Sequence, residues 1–225
     1  MNRQPIEIDE WYHCYNRGVD KRRVFLTKKD YERFLLLMYT GNASVPAHTF
    51  HLKDKQLLAV LSDDTLDRGE PIVEIGAYSL MPNHFHLILK EIQKGGVALF
   101  MQKVFTGYTM YFNTKNERTG SLFAGTFKSK HVDGDDYLKH LISYIHLNPI
   151  DLFAPDWKRG NANTTIIEKR LEEYPYSSLQ DFLGTTRIER RLLGDKIFEL
   201  FDTLPKARQM MEDAKAYYKS VNTEV

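Results

Sequence analysis

Residues 72–80 (IVEIGAYSL) and 84–90 (HFHLILK) are two strand-like runs separated only by Met81, Pro82 and Asn83. Three residues of turn chemistry leave no room for a crossover, so the runs must pair antiparallel as a tight hairpin. The rest of the chain has to fold around that ribbon. Residues 11–16 (WYHCYN), ending at Arg17-Gly18, predict an opening strand. From Thr27, a good N-cap, the residues Tyr31, Phe34, Leu35 and Met38 follow helical spacing until Gly41-Asn42. After Gly95-Gly96, the series Val97, Phe100, Met101, Val104, Phe105, Tyr108 and Phe112 marks the buried face of a long helix. Residues 122–132 (LFAGTFKSKHV) predict a further strand, and residues 133–136 cap a helix that runs to about Leu147, where Asn148-Pro149 ends it.

The order strand, helix, strand, strand, helix, strand, helix predicts an α+β fold. Its expected form is a ferredoxin-like β-α-β-β-α-β sheet with helices on one face and an added helix after it. Residues 43–71 are polar and irregular apart from the apolar stretch 57–61, so they read as a surface insertion. Residues 1–150 then form the principal domain. Residues 151–225 form a C-terminal extension, loop-like around Pro155 and residues 161–165, passing through YPYSSLQDFLG and ending in helical patterns from Leu192 onward. The chain has no internal repeat and no low-complexity run.

A chain of 225 residues that is 42% hydrophobic and 27% charged is long enough to bury a core. No run approaches the ~20 apolar residues of a membrane span, and the first residues lack the apolar stretch of a signal peptide, so no membrane partner and a cytoplasmic location are expected. The single cysteine, Cys14, excludes an internal disulfide and a thiolate zinc cluster. A net charge of +1 does not by itself point to nucleic acid. Local charge says more: residues 17–29 hold six basic side chains against Asp20 alone, and residues 115–130 hold four against Glu117. Such segments can track a phosphate backbone, although for either one alone an ordinary solvated face is the commoner meaning.

His84 and His86 are separated by one residue in a strand, so both imidazoles lie on one sheet face with Phe85 on the other. Strands often carry paired surface histidines, and the pair needs a third ligand before it means metal. Tyr144 and Asn148 lie four apart at the end of the last core helix and so share a face, while Leu141, Ile142 and Ile145 cover the side that packs. Taken singly, Tyr144 reads as an amphipathic core tyrosine and Asn148 as a helix stop before proline.

Taken in order, MPNHFHLILK, GYTMYFNTKNERTGSLFAGTFKSK, YIHLNPI and YPYSSLQDFLG resemble the single-tyrosine HUH transposases, nearest to the REP-associated tyrosine transposases and their insertion-sequence relatives. The resemblance extends from YHCYNRG to about Gly184. It implies that residues 1–150 are a catalytic domain in which His84 and His86 are the metal-binding pair. Tyr144 is then the nucleophile of a Y-x-x-x-N helix motif, and Asn148 completes a site for Mg²⁺ or Mn²⁺. The implied substrate is single-stranded DNA with a hairpin or repeat, cut and rejoined through a 5′-phosphotyrosine, by a monomer or by a homodimer. A free phenol ionises at about pH 10, so such a site has to activate the tyrosine or stabilise the charge that builds up on the phosphate. Lys128 and Lys130, flanking Ser129, point to one face and are candidate phosphate contacts, with Arg17 and Arg118 as further ones. Tyr12, Tyr15 and Phe123 suit base stacking, with core packing as the competing use. This chain departs from many relatives at Thr126, where they carry arginine, and in the length of its 43–71 insertion.

Three other readings compete. Relaxases place their tyrosine ahead of the histidines, and replication initiators usually carry lysine four residues after it; here Tyr144 follows the histidines and Asn148 follows Tyr144. A non-catalytic RNA-binding module would suit a ferredoxin-like sheet, but no RNP1-like string is present. A domesticated nuclease that processes chromosomal repeats would show the same catalytic residues, and the sequence leaves that reading open.

Overall fold

The computed structural model describes residues 5–45, 56–159 and 163–223, with side chains as far as residue 216. Four strands, β1 (Trp11–Arg17), β2 (Val73–Met81), β3 (His84–Glu91) and β4 (Lys128–His131), form one antiparallel sheet in the order β2-β3-β1-β4. The helices are α1 (Lys28–Gly41), α2 (Leu57–Leu61), α3 (Gly96–Lys115), α4 (Asp135–Leu147), α5 (Thr164–Glu172), α6 (Leu179–Phe182), α7 (Lys196–Glu199) and α8 (Ala207–Thr223). An α+β architecture is therefore present, and the expected hairpin forms one side of its sheet. Met81 pairs with His84, so the turn itself is only Pro82-Asn83.

Strand alternation divides the sheet into two unlike faces. Phe85, Leu87 and Leu89 of β3, with Tyr12 and Cys14 of β1, bury against α1 and α3; Phe34 of α1 packs 5.2 Å from Phe85 and 5.1 Å from Tyr108 of α3. Two carboxylates hold these helices in place. Asp30 accepts the backbone N–H groups of Leu26 (2.9 Å) and Thr27 (2.8 Å) at the start of α1, and its other oxygen meets Lys115 Nζ at 2.6 Å, tying the start of α1 to the end of α3. Glu91, fully buried, accepts the N–H of Val97 at 2.8 Å at the start of α3, where a negative charge also suits the helix dipole. The opposite face of the sheet carries α4, which seats Leu138, Ile142 and Ile145 and leaves Tyr137 and Tyr144 exposed.

Between β1 and α1 the chain folds back on the hairpin. Val24 and Phe25 donate to the Pro82 carbonyl and Gly18 donates to that of Asn83 at 2.8 Å. Asp20 and Lys21 adopt left-handed backbone (φ 55° and 58°) to make this turn. A Cβ on Gly18 would lie 2.2 Å from the Arg22 carbonyl oxygen, so only glycine fits there.

The structure corrects three sequence expectations. Of residues 122–132 only Lys128–His131 is strand. Leu122, Phe123 and Phe127 are hydrophobic because they enter the core, and Gly125, at φ 77°, breaks the run. Asn148-Pro149 ends the α-helix but not the helical path: the chain continues as a 3₁₀ turn, Asn148–Leu152, because proline at a first turn forfeits no hydrogen bond. The 43–71 insertion is not wholly superficial. Its α2 buries Leu57, Val60 and Leu61 beside α1, and Arg191 reaches Asp64 at 2.7 Å; residues 46–55 lie outside the described residues.

The segment from Tyr174 to Ser178 runs beside β2, where Leu80 donates to the Tyr176 carbonyl at 2.9 Å, Ser178 donates to that of Tyr78 at 3.0 Å, and Ser79 bridges Ser177. The Arg187–Asp181 ion pair, with Arg187 also donating to the Ser177 carbonyl at 2.8 Å, braces this covering of the strand edge. A second apolar cluster joins Leu147, Ile150, Trp157, Leu171 and Met211 beneath α5 and α8. Of the loop expected around residues 161–165, residues 160–162 lie outside the described residues. No described helix is long and apolar enough to cross a membrane.

Candidate metal and nucleophile site

The α4 face of the sheet is where chemistry-bearing side chains collect, and strand register decides which ones. Arg17 lies opposite His84, Tyr15 opposite His86 and Lys128, and His13 opposite Ile88 and Lys130. Because alternate residues of a strand share a face, His84, His86, His13, Tyr15, Arg17, Lys128 and Lys130 lie on one side. Above them lies α4. Near its end the Tyr144 ring stands 5.7 Å from His86, edge-on at 79°, with half of its surface (50%) exposed. Near its start, Tyr137 accepts a hydrogen bond from Lys130 Nζ at 3.0 Å.

Each histidine of the pair has one nitrogen already engaged. Asn83 donates through Nδ2 to the Lys21 carbonyl (3.4 Å), which turns its Oδ1 toward His84 Nδ1 at 2.7 Å. The Nδ1–H of His84 is thereby used, and Nε2 carries the lone pair. Asn148 neighbours His84 and favours its charged form, and it donates its own Nδ2 to the Tyr144 carbonyl at 2.9 Å, leaving Oδ1 free of that bond. His86 Nδ1 meets His13 Nε2 at 2.8 Å, which leaves His86 Nε2 free to bind. Burial, foremost, lowers the pKa of all three imidazoles. His84 moves down, with Asn148 and the charge of Asp151 opposing the shift; His86 falls to about 3, with His13 and His84 adding to the fall; His13 falls to about 4, with Lys130 adding to it. Neutral imidazoles are the form that binds metal.

Among the described residues no three His, Cys, Asp or Glu side chains converge as a metal cluster. A cation held here would take two imidazole nitrogens and the Asn148 amide oxygen. Asn148 spends its Nδ2 on the Tyr144 carbonyl, so its Oδ1 and the two imidazoles, held neutral by burial, make a donor set able to accept a cation. Two imidazoles and one oxygen also leave open coordination positions.

His84, His86, Tyr144 and Asn148 thus come together, and Arg17, Lys128 and Lys130 share their face with side chains exposed. Arg118 does not join them: its guanidinium is taken up by Asn113 and the Ser121 carbonyl and lies 6.0 Å from the Phe112 ring, stapling the loop after α3. Thr126 is exposed in that same connection. Of the aromatics considered for base stacking, Tyr12 and Phe123 are buried in the core, whereas Tyr15 is partly open beside His86. Three residues at the site went unmarked in the sequence. His13 and Asn83 orient the two histidines, and Asp151 is exposed one 3₁₀ turn past Asn148. The alternation of His13 with Tyr15 was visible, but its register against β3 was not.

No family model and no curated protein matches the chain. Among solved structures, that of a REP-associated tyrosine transposase bound to a REP hairpin aligns with a TM-score of 0.49 and 14% sequence identity, over 87% of this chain and 91% of that chain.

Proposed function

We propose that this chain is a metal-dependent nuclease and strand transferase of the single-tyrosine type, acting on single-stranded hairpin or repeat DNA. In this reading residues 1–150 are a catalytic domain on a ferredoxin-like frame, and residues 151–225 are an extension packed against it. The observation that carries it is the meeting of Tyr144 with His86 at 5.7 Å while Asn148 neighbours His84, since the tyrosine and the histidines come from distant parts of the chain. The motif order in the sequence, which resembles the single-tyrosine HUH transposases, supports the same assignment.

His84, His86 and Asn148 would hold Mg²⁺ or Mn²⁺. When bound, the cation supplies electrostatic stabilisation for the negative charge that develops on the scissile phosphate. Imidazoles alone favour softer metals, and the Asn148 oxygen, with the Asp151 charge nearby, shifts the balance toward harder ones. Tyr144 Oη attacks phosphorus in line, forming a tyrosyl P–O bond as the bond from phosphorus to the 3′-oxygen breaks. The phenol proton passes to solvent, which reaches the half-exposed ring, and the leaving 3′-oxygen takes up a proton. One phosphodiester replaces another, so the step reverses on a new 3′-OH without nucleotide hydrolysis. Arg17, Lys128 and Lys130 hold neighbouring phosphates.

The test uses short single-stranded hairpins from the DNA flanking the gene, incubated with and without Mg²⁺ and resolved on a denaturing gel. Wild-type protein is expected to form a covalent adduct with the 5′-phosphate side and to release a fragment ending in a 3′-OH; duplex of the same sequence stays intact. Tyr144→Phe keeps the ring and removes the nucleophile, so the adduct disappears. An adduct of normal yield in the Phe variant, or one mapped to another tyrosine, removes the assignment.

A further inference from the structure

The α4 face carries a second exposed aromatic that the cleavage chemistry does not use. Tyr137 precedes Tyr144 by seven residues, two helical turns, so the two rings share a side of α4 about 10.5 Å apart along its axis. Tyr137 is 38% exposed, on a helix whose aliphatic side chains Leu138, Leu141, Ile142 and Ile145 are buried. Its hydroxyl accepts from Lys130 Nζ at 3.0 Å, and the ammonium stands 5.1 Å from the ring centroid. A ring fixed in this way has little rotational freedom left to lose when something stacks on it. The same lysine shares the sheet face of His84 and His86, next in line after Lys128.

We propose that Tyr137 and Lys130 form a nucleotide-binding subsite beside the cleavage centre, with Tyr137 stacking on one unpaired base and Lys130 holding the adjoining phosphate. The inference rests on the single-stranded DNA reading and deepens it. An offset of about 10.5 Å from Tyr144 corresponds to a base within about three nucleotides of the cut, fewer if the strand is extended. A base already paired in a duplex has no free face to offer the ring, so the subsite selects for single-stranded character next to the scissile phosphate. Simple surface pairing of a lysine with a tyrosine is the competing account. It predicts no dependence on any particular base.

The experiment measures affinity of the full chain for a cleavable single strand, in a Tyr144→Phe background so that the strand stays intact. A series of strands carries one abasic site at each of the positions flanking the cut. Adding Tyr137→Ala is expected to weaken binding about five- to a hundredfold, while Tyr137→Phe retains most of the affinity. One abasic position within about three nucleotides of the cut should cost a similar factor in the parent and little more in Tyr137→Ala. Lys130→Ala should lower the salt dependence by about one counterion, uniformly across strands. Unchanged affinity in Tyr137→Ala, or losses that multiply fully at every abasic position, overturns the subsite. Wild-type adduct formation is scored separately: if it persists, only the subsite fails. If the chain binds no single strand and forms no adduct, the function it rests on fails as well.

Discussion

Tyr144 keeps half its surface in solvent while its ring edge faces His86. The residue beneath it is the less visible determinant. His13 is buried, its pKa lowered to about 4 chiefly by burial, and its Nε2 holds His86 Nδ1 at 2.8 Å. A neighbour of this kind fixes both the tautomer and the rotation of a metal-binding imidazole. His13→Ala is therefore expected to weaken Mn²⁺ binding about 10- to 100-fold by calorimetry, with less loss in His13→Gln, which restores a hydrogen-bonding group. Undiminished Mn²⁺ affinity in the alanine variant would show that His86 needs no such support. At this scale the sequence carried four residues of the candidate site and missed three. His84, His86, Tyr144 and Asn148 were legible because spacing within one strand or one helix fixes a shared face. His13 was not, because its role depends on β1 pairing with β3, a contact between residues far apart in the chain.

Among the elements, α4 matters most to the site and is held by an unusual anchor. His146 is wholly buried, with Nε2 2.8 Å from Ser178 Oγ and Nδ1 without a hydrogen-bond partner. Burial first, and then the Arg187 charge, bring its pKa down from 6.5 to about 3. In the folded protein it therefore stays neutral at pH 5, where an unfolded histidine is protonated. Its contribution to stability is complete above pH 6.5 and is lost progressively as the pH falls toward 3. Between pH 7 and pH 5 that loss is on the order of 2 kcal/mol. Urea unfolding at the two pH values should show a smaller difference in His146→Gln than in wild type; an equal difference would mean that His146 is protonated in the fold. The hairpin and the long helices were readable from periodicity. The 122–132 run was misread because a loop that inserts Leu122, Phe123 and Phe127 into a core has the composition of a strand without its hydrogen-bond ladder.

For the molecule as a whole, the site is distributed: β1 gives His13, β3 the histidine pair, α4 the tyrosine, and the 3₁₀ turn Asn148 and Asp151. The segment along β2 and the Arg191–Asp64 brace were beyond sequence reasoning, since an ion pair between residues 127 apart leaves no periodic trace, and the local Arg187–Asp181 pair has none either. The packing of α4 over its own sheet carries a consequence for inheritance. Under the proposed function Tyr144 would act with the histidines of its own polypeptide, so a Tyr144→Phe copy and a His86→Ala copy would each lack something that the other could not lend. Coexpressed, they are expected to yield no more adduct than either does alone, whereas substantial recovery would reveal helices exchanged between copies. Two defective alleles of this gene should stay defective together.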